Sequence, residues 1–163
     1  MDDDTRNLMF SSKNSEWGTP EKLFNRLNNM FNFTLDPCCN SFNAKCKKFY
    51  TIEEDGLSKS WKGETVFCNP PYGRQIKSWV KKAYEESRHP GTTVALLIPA
   101  RTDTSYWHDY VMRSEMIYFI KGRLHFVSGL SDEGVNPAPF PSVVVVFKCD
   151  GTPFVMSLDG DFR

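Results

Sequence analysis

Two apolar rhythms alternate along this chain, one of helical period and one of short continuous runs. Leu23, Phe24, Leu27 and Phe31 mark one face of a helix running through about Met30. Thr19 suits its N-cap and Pro20 its first helical position. Phe33-Thr34-Leu35 reads as a short strand ending at Asp36-Pro37, and Lys48 to Thr51 as a second. Residues 38–48 between them are small, polar and basic, as expected of a loop. An acidic turn, Glu53 to Leu57, precedes a third strand, Thr65-Val66-Phe67-Cys68. Ile76, Trp79, Val80, Ala83 and Tyr84 predict an amphipathic helix from about Ile76 to Ser87. Lys81/Glu85 and Lys82/Glu86 are i,i+4 pairs on its expected wet side, and His89-Pro90-Gly91 ends it.

Thr93 to Ile98 is an unbroken apolar run, the pattern of a strand covered on both faces. A loop at Arg101 to Asp103, a helix from Ser105 to Val111 and a strand at Met116 to Ile120 follow. Residues 127–141 are rich in Gly, Pro and Ser and read as a mobile loop. Val143 to Lys148 is the last strong strand, with Phe154-Val155-Met156 as its expected hairpin partner. Residues 1–16 are polar and read as a flexible arm, leaving 17–163 as a single domain. Strands alternating with helices predict an α/β sheet with a mainly parallel centre and a C-terminal antiparallel hairpin. Ligands bind such sheets above their carboxyl edge, where the segments after the first four strands should converge.

One of those segments is Asn69-Pro70-Pro71-Tyr72-Gly73. Its residue types suit the activation of a planar exocyclic amine. Such an amine must move toward tetrahedral geometry before it can attack a methyl group, and acceptors aimed at its two N–H groups favour that change. The Asn69 side-chain oxygen is one acceptor, and the stiff Pro70 carbonyl is a second. Pro71 extends the rigid turn, Tyr72 offers a face for an extruded base, and Gly73 lets the chain turn away. Asn is a poor proton sink, so its role is positioning and polarisation. The plainer reading of these residues is a proline-rich turn with Tyr72 as packing.

Composition narrows the picture only slightly. With 163 residues and a formal net charge of zero, the chain is no broadly basic nucleic-acid binder, though a local basic rim remains open. No apolar run approaches a membrane span, and no signal peptide is visible. Five cysteines, an odd number, favour reduced thiols in a cytoplasm. Cys38, Cys39 and Cys46 lack common zinc spacing, so no metal is expected.

The segments WGTPEKLF, FTLDPCCNSFNAKC, FYTIEEDGL, VFCNPPYG, IKSWVKKAYEE, LLIPARTDTSYWHD, GRLHF and APFPSVVVVF together resemble the compact phage-type, Dam-like DNA N6-adenine methyltransferases. The resemblance covers nearly everything from Trp17 to Phe147. It implies a Rossmann-like, S-adenosylmethionine-dependent methyltransferase fold acting on DNA, in a bacterial host cytoplasm if phage-encoded. The sequence leaves the oligomeric state open, and a monomer is compatible with it. By the same resemblance, Trp17, Thr19 and Pro20 look like the segment beside the donor's amino-acid end. Asp36, Pro37, Cys38 and Asn40 look like the donor loop, which lacks the Gly-x-Gly of the broader pattern. Asp55, Gly56 and Leu57 look like the turn near the donor's adenine. Asn69, Pro70, Pro71 and Tyr72 map onto the catalytic motif, with Asn69 also bordering the donor.

Target-side candidates are Arg74, Arg101, Thr102, Asp103, Arg123 and Phe126. Each has a plainer alternative: Asp103 as a helix cap paired with Arg101, Phe126 as core, Asn40 and Asn43 as turn caps, His108 as surface or packing. The motif also suits a cytosine amine or a protein glutamine as acceptor. A non-catalytic module that binds DNA or the donor is a third reading.

Overall fold

In the computed structural model the described residues are 17–128, 131–134, 137–150 and 154–158; the arm expected over 1–16 lies outside them. Nine strands are described: β1 (Leu35–Asp36), β2 (Lys48–Phe49), β3 (Thr65–Cys68), β4 (Thr93–Pro99), β5 (Met116–Ile120), β6 (Val127–Ser128), β7 (Ser131–Gly134), β8 (Ser142–Lys148) and β9 (Phe154–Leu158). The helices are α1 (Glu21–Phe31), α2 (Ile76–Ser87) and α3 (Ser105–Asp109), the last followed by a 3-10 turn at Val111–Arg113.

Seven strands form one sheet in the order β2-β1-β3-β4-β8-β5-β9. β8 alone is antiparallel to its neighbours β4 and β5; the other pairings are parallel. The sheet is mixed and mostly parallel, as expected, but its antiparallel strand, β8, stands inside it between β4 and β5. The expected C-terminal hairpin is not formed. β9 pairs in parallel with β5, from Met116↔Phe154 to Ile120↔Leu158, and β8 lies between β4 and β5. Burial explains the difference. Val143, Val144, Val145, Val146 and Phe147 are all fully buried, so β8 is covered on both faces and occupies the sheet interior.

Alternation in β4 sends Val94, Leu96 and Ile98 to one layer and Ala95 and Leu97 to the other. The first layer packs under Ile76, Trp79, Val80 and Ala83 of α2, and the second under Leu23, Phe24 and Leu27 of α1. Glu86, expected on the wet face of α2, is buried instead. Its carboxylate accepts from the Trp61 amide at 2.8 Å and from Lys82 Nζ at 2.5 Å, tying α2 to the segment before β3. The region expected to be one loop over 127–141 contains the antiparallel pair β6–β7. Ser131 to Gly134 carries no apolar alternation, so no strand was legible there.

Candidate active site

α1 begins one residue later than expected. Its N-cap is Pro20, without a side-chain cap, and the buried Thr19 hydroxyl is used elsewhere. Asn69 Nδ2 donates to the Trp17 carbonyl at 2.7 Å and to Thr19 Oγ1 at 3.0 Å. On the other side of the same amide, the Tyr72 hydroxyl donates to Asn69 Oδ1 at 2.8 Å and lies 3.2 Å from the Leu97 carbonyl. The amide orientation is therefore unambiguous: a carbonyl can only accept, so nitrogen must face Trp17 and oxygen must face Tyr72. One lone pair of Oδ1 remains after the Tyr72 bond.

Tyr72 is half-buried, and burial holds its phenol well above the ordinary tyrosine range. Its ring meets Phe140 edge-on at 5.5 Å, Phe126 edge-on at 6.0 Å and Trp17 at 6.1 Å. Phe126 is fully buried in this cluster and belongs to the core, not to a surface on which a base could lie. Phe140 belongs to the cluster too; it stands in the quoted APFPS segment but carried no signal of its own. Beyond Tyr72, Gly73 adopts φ 145°, a backbone geometry side chains disfavour, and the chain turns into α2.

A cavity of about 530 Å³ is bounded by the loops after β1 and β2 and by the start of α2. Pro37, Cys38 and Cys39 come from the segment after β1; Thr51, Ile52, Asp55, Gly56 and Leu57 from the segment after β2; Gln75, Ser78 and Trp79 from the start of α2. Thr51, Ile52, Gln75, Ser78 and Trp79 were not anticipated. The i, i+3, i+4 spacing of the last three is the signal that could have found them. The first two loops touch: a Cβ on Gly56 would sit 2.0 Å from the Pro37 carbonyl oxygen. Asp55 takes the left-handed conformation, φ 54°, to bring Gly56 there, and Trp61 Nε1 donates to the Gly56 carbonyl at 3.0 Å. Trp79 Nε1 is buried with no hydrogen-bond partner among the described residues.

Asp36 organises the first of these loops. Its Oδ1 accepts from the Cys38 amide at 3.2 Å and its Oδ2 from the Lys45 amide at 3.0 Å. Burial raises its carboxyl above the ordinary value, and these two N–H donors oppose the rise. Burial and then the Asp36 charge raise Cys39 well above the ordinary thiol value and push Cys46 up to about 12. Cys68 is raised by burial and by its contact with Cys38. Asn40 faces away: its Oδ1 accepts from the Phe42 and Asn43 amides at 2.9 and 3.0 Å, and Asn43 Oδ1 accepts from the Asn40 amide. This pair caps a turn, the plainer of its two readings.

The target-side candidates are arranged by topology. Arg74 follows β3, Arg101 to Asp103 follow β4, and Arg123 follows β5, three strands running the same way. All five residues are exposed on that rim. Asp103 does not cap α3; the N-cap is Thr104, whose hydroxyl donates to the Arg101 carbonyl at 2.7 Å. His108 is exposed and its Nε2 lies 2.9 Å from the Thr102 carbonyl, so that nitrogen carries the proton.

A mostly parallel α/β sheet with an amide, two prolines and a tyrosine at the end of a central strand is consistent with a methyltransferase fold. The chain belongs to the DNA N-6-adenine-methyltransferase (Dam) family, whose sequence profile matches residues 7–158. It is 30% identical over 136 residues to the DNA N-6-adenine-methyltransferase of Haemophilus phage HP1, covering 81% of this chain and 78% of that protein. It is 28% identical over 149 residues to the protein of the same description from Escherichia phage T1, covering 81% of this chain and 62% of that protein.

Proposed function

We propose that this protein transfers a methyl group from S-adenosylmethionine to the N6 amine of adenine in DNA, on a Rossmann-like methyltransferase fold. The observation that carries the reading is the fixed Asn69 amide after β3, with its oxygen turned toward Tyr72, in a chain that also forms a cavity between the loops after β1 and β2 and the start of α2. The donor, when bound, supplies an electrophilic methyl group on a sulfonium.

The cavity fits such a molecule. Its volume, about 530 Å³, lies in the range of small-molecule sites. The buried indole N–H of Trp79, without a partner among the described residues, is a donor that a ligand acceptor would satisfy. Pro37, Cys38, Asp55, Gly56 and Leu57 would hold the donor. Burial raises the thiol of Cys39, which lines the cavity, and that disfavours a thiolate able to compete for the methyl.

Asn69 Oδ1 accepts one N–H of the target amine with its remaining lone pair, and the Pro70 carbonyl accepts the other. The two acceptors favour a tetrahedral nitrogen and stabilise the positive charge that develops on it. The exposed part of Tyr72 meets the extruded base. Arg74, Arg101 and Arg123 contact phosphate and so place the DNA over the rim.

The test is incubation with tritiated donor and separate DNA, RNA and protein acceptors, then nucleoside mass spectrometry. N6-methyladenine in DNA is the expected product. Label confined to protein, or N4-methylcytosine in its place, would sink the reading.

A further inference from the structure

Thr19 and the Trp17 carbonyl present a role distinct from donor contact. An asparagine amide is nearly symmetric in shape, and a half-turn exchanges its oxygen and nitrogen. Only one of the two orientations offers an acceptor to an amine; the other offers a second donor. We propose that the segment Trp17-Gly18-Thr19 is an orienting clamp for Asn69, with Thr19 as a positioning residue. This inference rests on Asn69 being the acceptor for the target amine.

Both N–H groups of Asn69 are engaged, one by a carbonyl at 2.7 Å and one by Thr19 Oγ1 at 3.0 Å. A flipped amide would set oxygen against the Trp17 carbonyl, two acceptors facing each other. Engaging both donors also polarises the amide and makes Oδ1 a stronger acceptor. The Tyr72 hydroxyl completes the restraint at 2.8 Å from Oδ1.

The clamp is itself anchored. Gly18 exchanges two backbone hydrogen bonds with Val127, its amide to the Val127 carbonyl at 3.0 Å and the reverse at 2.9 Å. A Cβ on Gly18 would sit 2.7 Å from that Val127 oxygen, so only glycine permits the approach. Val127 is the first residue of β6, the start of the β6–β7 pair. The amide is thus tied through three residues to an element distant in sequence.

Thr19→Val keeps the shape and removes the acceptor; Thr19→Ser restores it. With tritiated donor and duplex DNA, Thr19→Val should lower kcat roughly tenfold, the effect of one lost buried acceptor, with both KM values unchanged. Thr19→Ser should recover most of that turnover. In the folded proteins, side-chain amide NMR on ¹⁵N-labelled asparagine should show one Asn69 proton exchanging faster in Thr19→Val and protected again in Thr19→Ser. A Thr19→Val enzyme with wild-type kcat, or with a raised donor KM at unchanged kcat, would overturn the clamp. So would unaltered Asn69 protons. A wild-type protein that leaves DNA adenine unmethylated would instead sink the parent reading, and the NMR arm would still decide the clamp.

Discussion

Asn69 is held at three points of its amide and so behaves as a fixed dipole, not a mobile side chain. In the proposed reaction its value lies in needing no reorganisation as charge develops. Asn69→Ala should reduce methyl transfer by at least about a hundredfold while leaving donor binding nearly intact, checked by turnover and by calorimetry. Tyr72 has two duties that substitution can separate. Tyr72→Phe keeps the ring but releases Asn69 Oδ1, so a measurable drop in kcat is expected. Tyr72→Ala also opens the contacts with Trp17, Phe126 and Phe140 and should lose more. Equal losses would show that the hydroxyl carries the whole effect. Asp36 gives a residue-scale prediction in pH. Its folded pKa is raised above 3.8 by burial, so the folded state keeps a proton that the unfolded state has lost. The stability this contributes is full below 3.8 and is lost as pH rises through the raised folded value. Urea titrations of wild type and Asp36→Asn across that window should show the wild type's relative stability falling as pH rises.

At the scale of elements, the helices and the apolar strands were legible because their periods are strong. Ile76 to Ser87 and Thr93 to Pro99 stand almost where the pattern puts them. The proposed catalytic motif stands out in the sequence too, since four consecutive residues would carry its chemistry. What was not legible was which distant group each of them meets. Thr19 looked like a helix cap, because a threonine before a proline usually is one; its hydroxyl instead serves a residue fifty positions away. Glu86 looked solvated from its helical spacing, yet the Trp61 amide draws it inward. Loops show the same limit. The contact between Gly56 and the Pro37 carbonyl is a tertiary fact with no local signature. Gly56→Ala should push the two loops apart, weakening donor binding and costing about 1–3 kcal/mol of stability. Isothermal titration with the donor and thermal unfolding would measure both; unchanged values would mean the loops part without strain.

Across the whole molecule, the proposed function depends on one edge of one sheet. Zero net charge hides a rim on which Arg74, Arg101 and Arg123 stand exposed after three like-directed strands. Each arginine-to-alanine change should lower the slope of log affinity against log salt by roughly one, with little effect on sequence preference. The sheet's order was the hardest feature to read, because pairing partners are set by burial on both faces and not by nearness in sequence. That order has a consequence during synthesis. Among the described strands β5 pairs only with β8 and β9, both made after it, and β4 gains its second neighbour when β8 arrives. A nascent chain can therefore lay down β1 to β4 and the Asn69 turn early, but must carry a bare strand edge until Lys148 has left the ribosome. Ribosome-stalled chains in which Ser142 has not emerged should be protease-sensitive and prone to aggregate, and the full chain released from the ribosome should not.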